Sequence, residues 1–307
     1  LLRVEEEGLA ILDAAGKEQF YLAFPYRTSR VMTAGEGLAV VPGRGGGMMA
    51  IRPDLTALEL DTDDAILGAS LSSSYILAYG PAAQGKSSLV LLDSGTGAYR
   101  SLLSFSQLEW PVASAFLPGG NAFGLLVLDL SSGEAVTRFV RYSLDGSKTP
   151  DFSARVGGLL PRLAYIGNQA VLYDDERMVL IDMETGDVRE EAVPGRLEVL
   201  AAAGGHLAFL TRDGNDYNFH LVRGDAGEGE IFFQPEGYGE TIRVFAYASD
   251  GSFLLAATED ELVVLDASTG DPSSRQPSGG QVERIQALDS LHFFLVIDGQ
   301  GVIATVG

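Results

Sequence analysis

Short apolar runs separated by polar turns fill the chain, and one arrangement of them recurs. An apolar strand runs into an Asp, then into a few small or polar residues, then into a Gly. Clear copies occupy residues 9–16, 89–97, 179–186 and 262–270, and looser copies end at Asp54, Asp145 and Asp225. The landmark Asp residues follow one another at intervals of about 42 residues, a period that indicates a repeat architecture.

Each interval divides into four apolar segments, the number and length expected of one propeller blade. No apolar stripe of 3.6-residue period persists beyond about ten residues, so the pattern favours strands over helices. Asp-Gly, Gly-Gly and Ser-Gly pairs between the segments supply the positive φ angles that two-residue hairpins require. Predicted strands include residues 9–13, 17–24, 188–193, 196–203, 206–211, 217–223, 242–248, 253–257, 262–265, 284–288, 291–297 and 302–306.

We therefore predict an all-β fold, a seven-bladed β-propeller of four-stranded antiparallel blades that forms a single domain over residues 1–307. Six complete units fill the chain, and N-terminal and C-terminal strands close the seventh blade together, which removes free sheet edges. Six or eight blades remain open, because segments 302–306 and 9–13 compete for one position. The small-residue segments 68–70, 201–203 and 246–248 are expected nearest a crowded central axis.

The composition of the chain limits the classes of partner that it can bind and bears on its location. The net charge of −21 repels nucleic-acid phosphates and anionic lipids, so neither is an expected partner. The absence of Cys excludes disulfides, thiolate metal sites and a cysteine nucleophile. No apolar run is long enough to span a membrane. The chain starts at Leu1 without a Met, so we expect a signal or anchor segment upstream.

The Asp-x-x-Thr-Gly phrase resembles that of the propellers related to pyrroloquinoline-quinone dehydrogenases. In those proteins a Trp normally follows the phrase and docks between blades. Here the matching positions hold Ser101, Glu190 and Ser274, and only Phe20 is aromatic at the equivalent place. The resemblance implies a propeller and, as one alternative, quinone-dependent chemistry.

The whole chain is also similar to a propeller family of unknown function from Clostridia and related Firmicutes. The similarity rests on residues 8–18, on Pro111-Val112-Ala113 with Leu117-Pro118-Gly119-Gly120, and on the last strands, 293–306. It implies a membrane anchor upstream of Leu1 and an extracytoplasmic, cell-surface location. This similarity assigns no catalytic residue to the chain.

Acidic segments are the first candidate sites, and for each we favour a structural role. In the Asp-x-x-Thr-Gly turns, the carboxylates of Asp93, Asp182 and Asp266 are expected to accept hydrogen bonds from turn amides. The loop 213–218 places oxygens at alternating positions, as a calcium loop does, but Gly224 stands where the bidentate Glu would be. The clusters 61–64 and 173–176 are expected to be solvated rather than catalytic.

The remaining candidates are also interpreted as structural. Buried imidazoles are expected at His206, His220 and His292, and packing is expected for Trp110. The Gly-rich segment 43–47 lacks the Lys and the helix of a phosphate loop. For the same reason, Gly35, Gly37, Gly157 and Gly158 are not interpreted as phosphate-binding loops. The basic segment 26–30 is interpreted as a solvated connector. No Gly-x-Ser-x-Gly elbow supports a hydrolase triad.

The leading hypothesis is therefore a non-enzymatic binding or scaffold propeller that recognises a protein, peptide or glycan through a loop face or the central channel. It acts as a monomer and needs no cofactor, and no catalytic, cofactor-binding or metal-binding residue is assigned. The alternative is an enzyme of quinoprotein-like or carbohydrate-active type. A third hypothesis is an assembly role like that of outer-membrane assembly propellers.

Overall fold

The computed structural model describes residues 2–4, 8–12, 17–23, 32–34, 38–42, 47–51, 57–61, 65–72, 74–144, 150–224, 231–287 and 289–306. The chain divides into two compact units, Leu1–Leu163 and Ala164–Gly307. Almost every element in the described part is a β-strand, and its one helical segment is a short 3₁₀ turn, Ala83–Gly85. The prediction of a single domain stays a prediction.

The first unit holds four sheets, each a meander of antiparallel strands in chain order. Sheet 1 has three strands: β1 (Leu2–Val4), β2 (Gly8–Leu12) and β3 (Glu18–Ala23). Sheet 2 has four: β4 (Met32–Ala34), β5 (Leu38–Pro42), β6 (Gly47–Ile51) and β7 (Ala57–Asp61). Sheet 3 has four: β8 (Gly68–Leu71), β9 (Tyr75–Pro81), β10 (Ser87–Asp93) and β11 (Tyr99–Phe105). Sheet 4 has four: β12 (Glu109–Phe116), β13 (Ala122–Asp129), β14 (Val136–Ser143) and β15 (Phe152–Gly157).

The second unit repeats this plan, and its sheet 5 begins at the boundary between the units. Sheet 5 consists of β16 (Arg162–Ile166), β17 (Gln169–Tyr173), β18 (Arg177–Asp182) and β19 (Val188–Ala192). Sheet 6 consists of β20 (Arg196–Ala203), β21 (His206–Asp213), β22 (Asp216–Val222) and β23 (Phe232–Phe233). Sheet 7 consists of β24 (Val244–Tyr247), β25 (Phe253–Ala257), β26 (Glu261–Asp266) and β27 (Pro272–Pro277). Sheet 8 has three strands: β28 (Val282–Ala287), β29 (His292–Ile297) and β30 (Gln300–Thr305).

Each of the twelve predicted ranges overlaps a strand of the structure, and the structure adds strands for which no range was predicted. β20 and β25 begin and end at the predicted residues. Sequence patterning did not predict β1, the two-residue β23 or the wholly exposed β27. These strands lie at sheet edges, where the apolar pattern of buried strands is weak or absent.

Both faces of a middle strand are buried, each against a different neighbouring sheet. In β21, Leu207 and Phe209 pack with apolar residues of sheet 5, whereas Ala208 and Leu210 pack with those of sheet 7. Successive side chains of a strand point to opposite faces, so alternate residues enter alternate cores. This explains why the second and third strands read as unbroken apolar runs rather than as alternating ones.

The same alternation appears in the first unit. In β10, Val90 and Leu92 pack with sheet 2, and Leu89 and Leu91 pack with sheet 4. Sheets within each unit are therefore held together mainly by face-to-face apolar packing.

The first strands of neighbouring sheets lie side by side, with β8 against β12, β20 against β24 and β24 against β28. The predicted small-residue segments 68–70, 201–203 and 246–248 fall in or at the end of three of these strands. Polar bonds join β8 and β12, where the hydroxyl of Ser70 lies 2.8 Å from that of Ser114. Small side chains permit this close approach of strand to strand.

Hairpin turns of neighbouring sheets also touch. Gly204, in the turn between β20 and β21, has φ +58°, and a Cβ built there would lie 2.6 Å from the carbonyl oxygen of Asp250 in the turn of sheet 7. Gly214, in the turn between β21 and β22, has a similar φ of +62° but no atom within 4 Å of its Cβ position. Comparing substitutions at the two positions therefore separates the cost of backbone strain from the cost of close packing.

We predict that Gly204→Ala destabilises the protein more than Gly214→Ala. Both substitutions carry a left-handed backbone cost of about 1 kcal/mol. Only Gly204→Ala also forces a collision with neighbouring backbone, which adds about 1–3 kcal/mol. Urea unfolding of both variants measures the difference, and equal losses would contradict the packing of these turns.

Candidate functional site

The Asp-x-x-Thr-Gly turns are structural, as predicted. The carboxylate of Asp93 accepts hydrogen bonds from the backbone N–H groups of Gly95 and Thr96 at 2.9 and 2.7 Å. The N–H of Thr269, followed by the hydroxyl and N–H of Ser268, lowers the pKa of Asp266 to about 2. The Asp266 carboxylate is therefore charged at neutral pH, and the carboxylates of both residues are occupied by hydrogen bonds from their own turns.

Asp182 makes the same kind of turn. Its carboxylate accepts hydrogen bonds from the N–H groups of Glu184 and Thr185, and the Thr185 N–H is the main cause of its lowered pKa.

The other acidic candidates also serve turns and ion pairs. Asp174 accepts hydrogen bonds from the N–H groups of Glu176 and Arg177, and Asp175 lies 3.7 Å from Arg196. The loop 213–218 is a two-residue hairpin turn in which Asp213 pairs with Asp216. Within the described residues, no group of three His, Asp or Glu side chains is placed to hold a metal ion.

Several predicted candidates lie wholly or mainly outside the described residues. They are residues 62–64 of the acidic cluster 61–64, residues 43–46 of the Gly-rich segment 43–47, Gly35, Gly37, the basic segment 26–30, and the repeat residues Asp13, Asp54, Asp145 and Asp225. Gly158 is described; its N–H donates to Ala135 across the end of sheet 4.

The three histidines occupy different surroundings. His220 is buried, as predicted, with its ring stacked on Phe209 at 4.8 Å and its Nε2 3.0 Å from the hydroxyl of Thr211. The other two predictions were wrong. His206 is partly exposed, and His292 is about half exposed and pairs with Asp289 at 2.9 Å.

Trp110 also departs from its prediction, because it is not packed inside the protein. It stands near the start of β12 with 36% of its surface exposed. Leu108 and Leu130 flank it at 50% and 37% exposure, and the N–H of Leu130 donates to the carbonyl of Leu108 at 2.9 Å. Three large apolar side chains therefore share one end of sheet 4.

Leu67 extends this cluster from sheet 3. Tyr79, which pairs with Gly68, donates its hydroxyl to the carbonyl of Val112, and Ser70 contacts Ser114. β8 and β12 therefore run in the same direction at matching heights, which places Leu67, 55% exposed, beside the Trp110 end of β12. We call Leu67, Leu108, Trp110 and Leu130 the Trp110 surface.

Charged side chains beside the Trp110 surface are already paired. Glu109 forms an ion pair with Arg138, and Asp129 forms one with Arg155 at 3.2 Å. Hydrogen bonds from the Ser131 hydroxyl and N–H are the main causes of a lowered pKa for Asp129, and Arg155 adds to them. The surface therefore offers apolar area for contact, bordered by charges that neutralise one another.

No family model and no curated protein matches the chain. Solved structures match nearly all of it. BamB from Moraxella catarrhalis is 13% identical with a TM-score of 0.55, and the match covers 100% of this chain and 94% of that chain. The dihydro-heme d1 dehydrogenase NirN, in complex with DHE, is 15% identical with a TM-score of 0.61, covering 99% of this chain and 70% of that one. A chain of the mitotic checkpoint complex is 12% identical with a TM-score of 0.54, covering 84% and 80%.

These neighbours are β-propellers. This chain has the β-propeller fold. The six four-stranded sheets correspond to six complete blades, which confirms the predicted fold class. The seventh predicted blade would combine strands of sheets 1 and 8, and that closure stays a prediction. Identities of 12 to 15% show a shared fold and nothing more specific.

In the propeller, the Trp110 surface lies where the connection entering a blade meets the turn between that blade's second and third strands. Leu67 and Leu108 immediately precede the first strands of their blades, and Leu130 follows β13. Residues at such strand ends are not needed for packing between blades. An exposed Trp among leucines at this place is typical of a binding surface.

The burial of His220 in the core of sheet 6 can be tested by the pH dependence of stability. Burial lowers its pKa to about 4 from an ordinary value of 6.5. Between these values the unfolded chain takes up a proton that the folded protein refuses, so the free energy of unfolding falls as pH falls through this window. From about pH 7 to about pH 5, we expect a loss of roughly 2 kcal/mol from this group.

His220→Gln removes the titrating group and so should remove this part of the pH dependence. Urea unfolding of wild type and His220→Gln at both pH values isolates the His220 contribution, because the carboxylates are common to both. Parallel stability curves for the two proteins would contradict a buried, neutral His220.

Proposed function

We propose that this propeller is a non-enzymatic binding protein whose partner is a protein segment that docks on the Trp110 surface. The observation that carries the proposal is the exposed Trp110 at a strand end that it shares with the exposed Leu108 and Leu130, next to the strand that follows Leu67. Trp is the residue type most enriched at positions where truncation costs binding energy, and it supplies large contact area with few rotatable bonds.

The charge of the chain indicates the chemistry of the partner. At −21, the protein attracts basic segments and repels acidic ones over distances of about a Debye length. The ion pairs beside the surface leave apolar contact as its main source of affinity. The partner segment therefore carries an apolar anchor for the Trp110 surface and flanking Lys or Arg residues for the acidic surroundings.

The fold suits such a role because packing between blades fixes the backbone on which the exposed side chains stand. A rigid surface loses little conformational entropy when a partner binds. One structural neighbour is a chain of the mitotic checkpoint complex, so this fold does occur within protein assemblies.

The setting we propose is outside the cytoplasm, with the propeller acting as a monomer. The resemblance of the chain to anchored extracytoplasmic propellers supports this location. In the described residues, no helix is long and apolar enough to cross a membrane.

We predict that short peptides selected on the wild-type protein from a phage-displayed random library combine an aromatic or aliphatic anchor with Lys or Arg. Trp110→Ala should weaken their binding by about tenfold or more, because truncating a central Trp typically removes about 2 kcal/mol of binding free energy or more. Trp110 is the only Trp in the chain, so a shift of its fluorescence emission on titration reports contact directly.

The matched control is Val188→Ala, which truncates a side chain of the other unit that is 50% exposed. It should leave peptide affinity unchanged. Selected peptides that bind Trp110→Ala and wild type equally, or that leave the Trp emission unmoved, would contradict the proposal.

A further inference from the structure

The strand edge beside the Trp110 surface is already in use. β12 is the first strand of sheet 4 and pairs with β13 on one side. On the side that faces sheet 3, the carbonyl of Val112 accepts a hydrogen bond from the Tyr79 hydroxyl at 2.8 Å. The carbonyl of Ser114 accepts another from the Ser70 hydroxyl. Side chains of one blade therefore occupy backbone acceptors on the edge of the next.

Pro111 removes a backbone donor at the same edge. It directly follows Trp110 in β12, and its ring nitrogen carries no hydrogen. The N–H groups of Leu67 and Leu130 are also engaged, each in a hydrogen bond of 2.9 Å within the protein. A partner that adds a strand to a sheet needs a row of available N–H and C=O groups. The Trp110 surface presents apolar side chains instead of such a row.

A helical partner suits this surface because its backbone hydrogen bonds are internal. Neighbouring sheets pack about 10 Å apart. Residues i, i+4 and i+7 of an α-helix span about the same distance, since each residue advances the helix by about 1.5 Å. A helix lying across the ends of sheets 3 and 4 therefore brings three apolar side chains over Leu67, Trp110 and Leu130.

Glu134 indicates the charge on the flank of this helix. It is exposed in the hairpin turn that follows Leu130. Its carboxylate forms no ion pair within the part of the chain that the structure describes, unlike Glu109 and Asp129 nearby. A Lys or Arg on the flank of a docked helix matches this carboxylate and the net charge of −21.

We propose that the partner segment of the Trp110 surface is a basic amphipathic helix, with apolar anchors at i, i+3 or i+4, and i+7. This inference rests on the protein-binding function proposed above and adds the conformation and anchor spacing of the partner. The segment folds as it binds, because helices of a few turns are marginal in water by themselves.

The test uses the peptides selected on the wild-type protein, produced with ¹³C and ¹⁵N labels. The NMR chemical shifts of their Cα atoms distinguish helical from extended backbone. We expect helical shifts across the anchor residues in the bound state and little helix in the free peptide.

A proline substitution tests the same point by affinity. Pro placed at a non-anchor position in the middle of the bound peptide should weaken binding by about tenfold or more, because Pro disrupts a helix interior. Ala at that position is the matched control and should leave the affinity unchanged, since Ala is the best helix former.

Leu67→Ala tests whether the helix reaches sheet 3. It should weaken binding by about threefold or more, because it removes apolar area buried under the partner. Val188→Ala, in the other unit, should again have no effect.

Three results would overturn the helical partner while leaving the binding function standing. They are Trp110-dependent peptides that bind in an extended conformation, that accept the central Pro, or that bind Leu67→Ala as tightly as wild type. Failure to select any Trp110-dependent peptide would overturn both proposals.

Discussion

Face-to-face apolar packing of neighbouring blades is the interaction on which this structure depends. Each middle strand is shared between two cores, as β21 shows with Phe209 on one side and Leu210 on the other. A blade removed from its neighbours would expose both faces, so no blade is a stable unit by itself. The strand ends, in contrast, contribute little to packing, and the Trp110 surface is built there.

How far the fold could be read from the sequence follows from the same constraint. Strands buried on both faces appear as unbroken apolar runs that end at an Asp-containing turn, and these were predicted closely, as for β25. β27 reads Pro-Ser-Ser-Arg-Gln-Pro, is fully exposed and pairs on one side only, so nothing in its pattern marks a strand. β1 and β23 are only three and two residues long, which is too short for any periodic pattern to mark them as strands.

The sites were less accessible to sequence reasoning than the fold. The turn role of Asp266 is local, since its partners lie two and three residues away, and it was predicted. Trp110 was expected to pack inside because a lone aromatic usually does, and nothing local reveals its exposure. Leu67 and Trp110 lie in different blades, so only the folded chain places them at neighbouring strand ends.

The central claim is that each core belongs to two blades at once, and hydrogen exchange on Phe209→Leu tests it most directly. Phe209 is fully buried on the side of sheet 6 that faces sheet 5, and Leu keeps an apolar side chain while loosening the contact. The account predicts faster amide exchange in β17 and β18 of sheet 5 as well as in β21 and β22, because a shared core links their local opening. Faster exchange confined to sheet 6 would show that the blades are separate cores and would contradict the account.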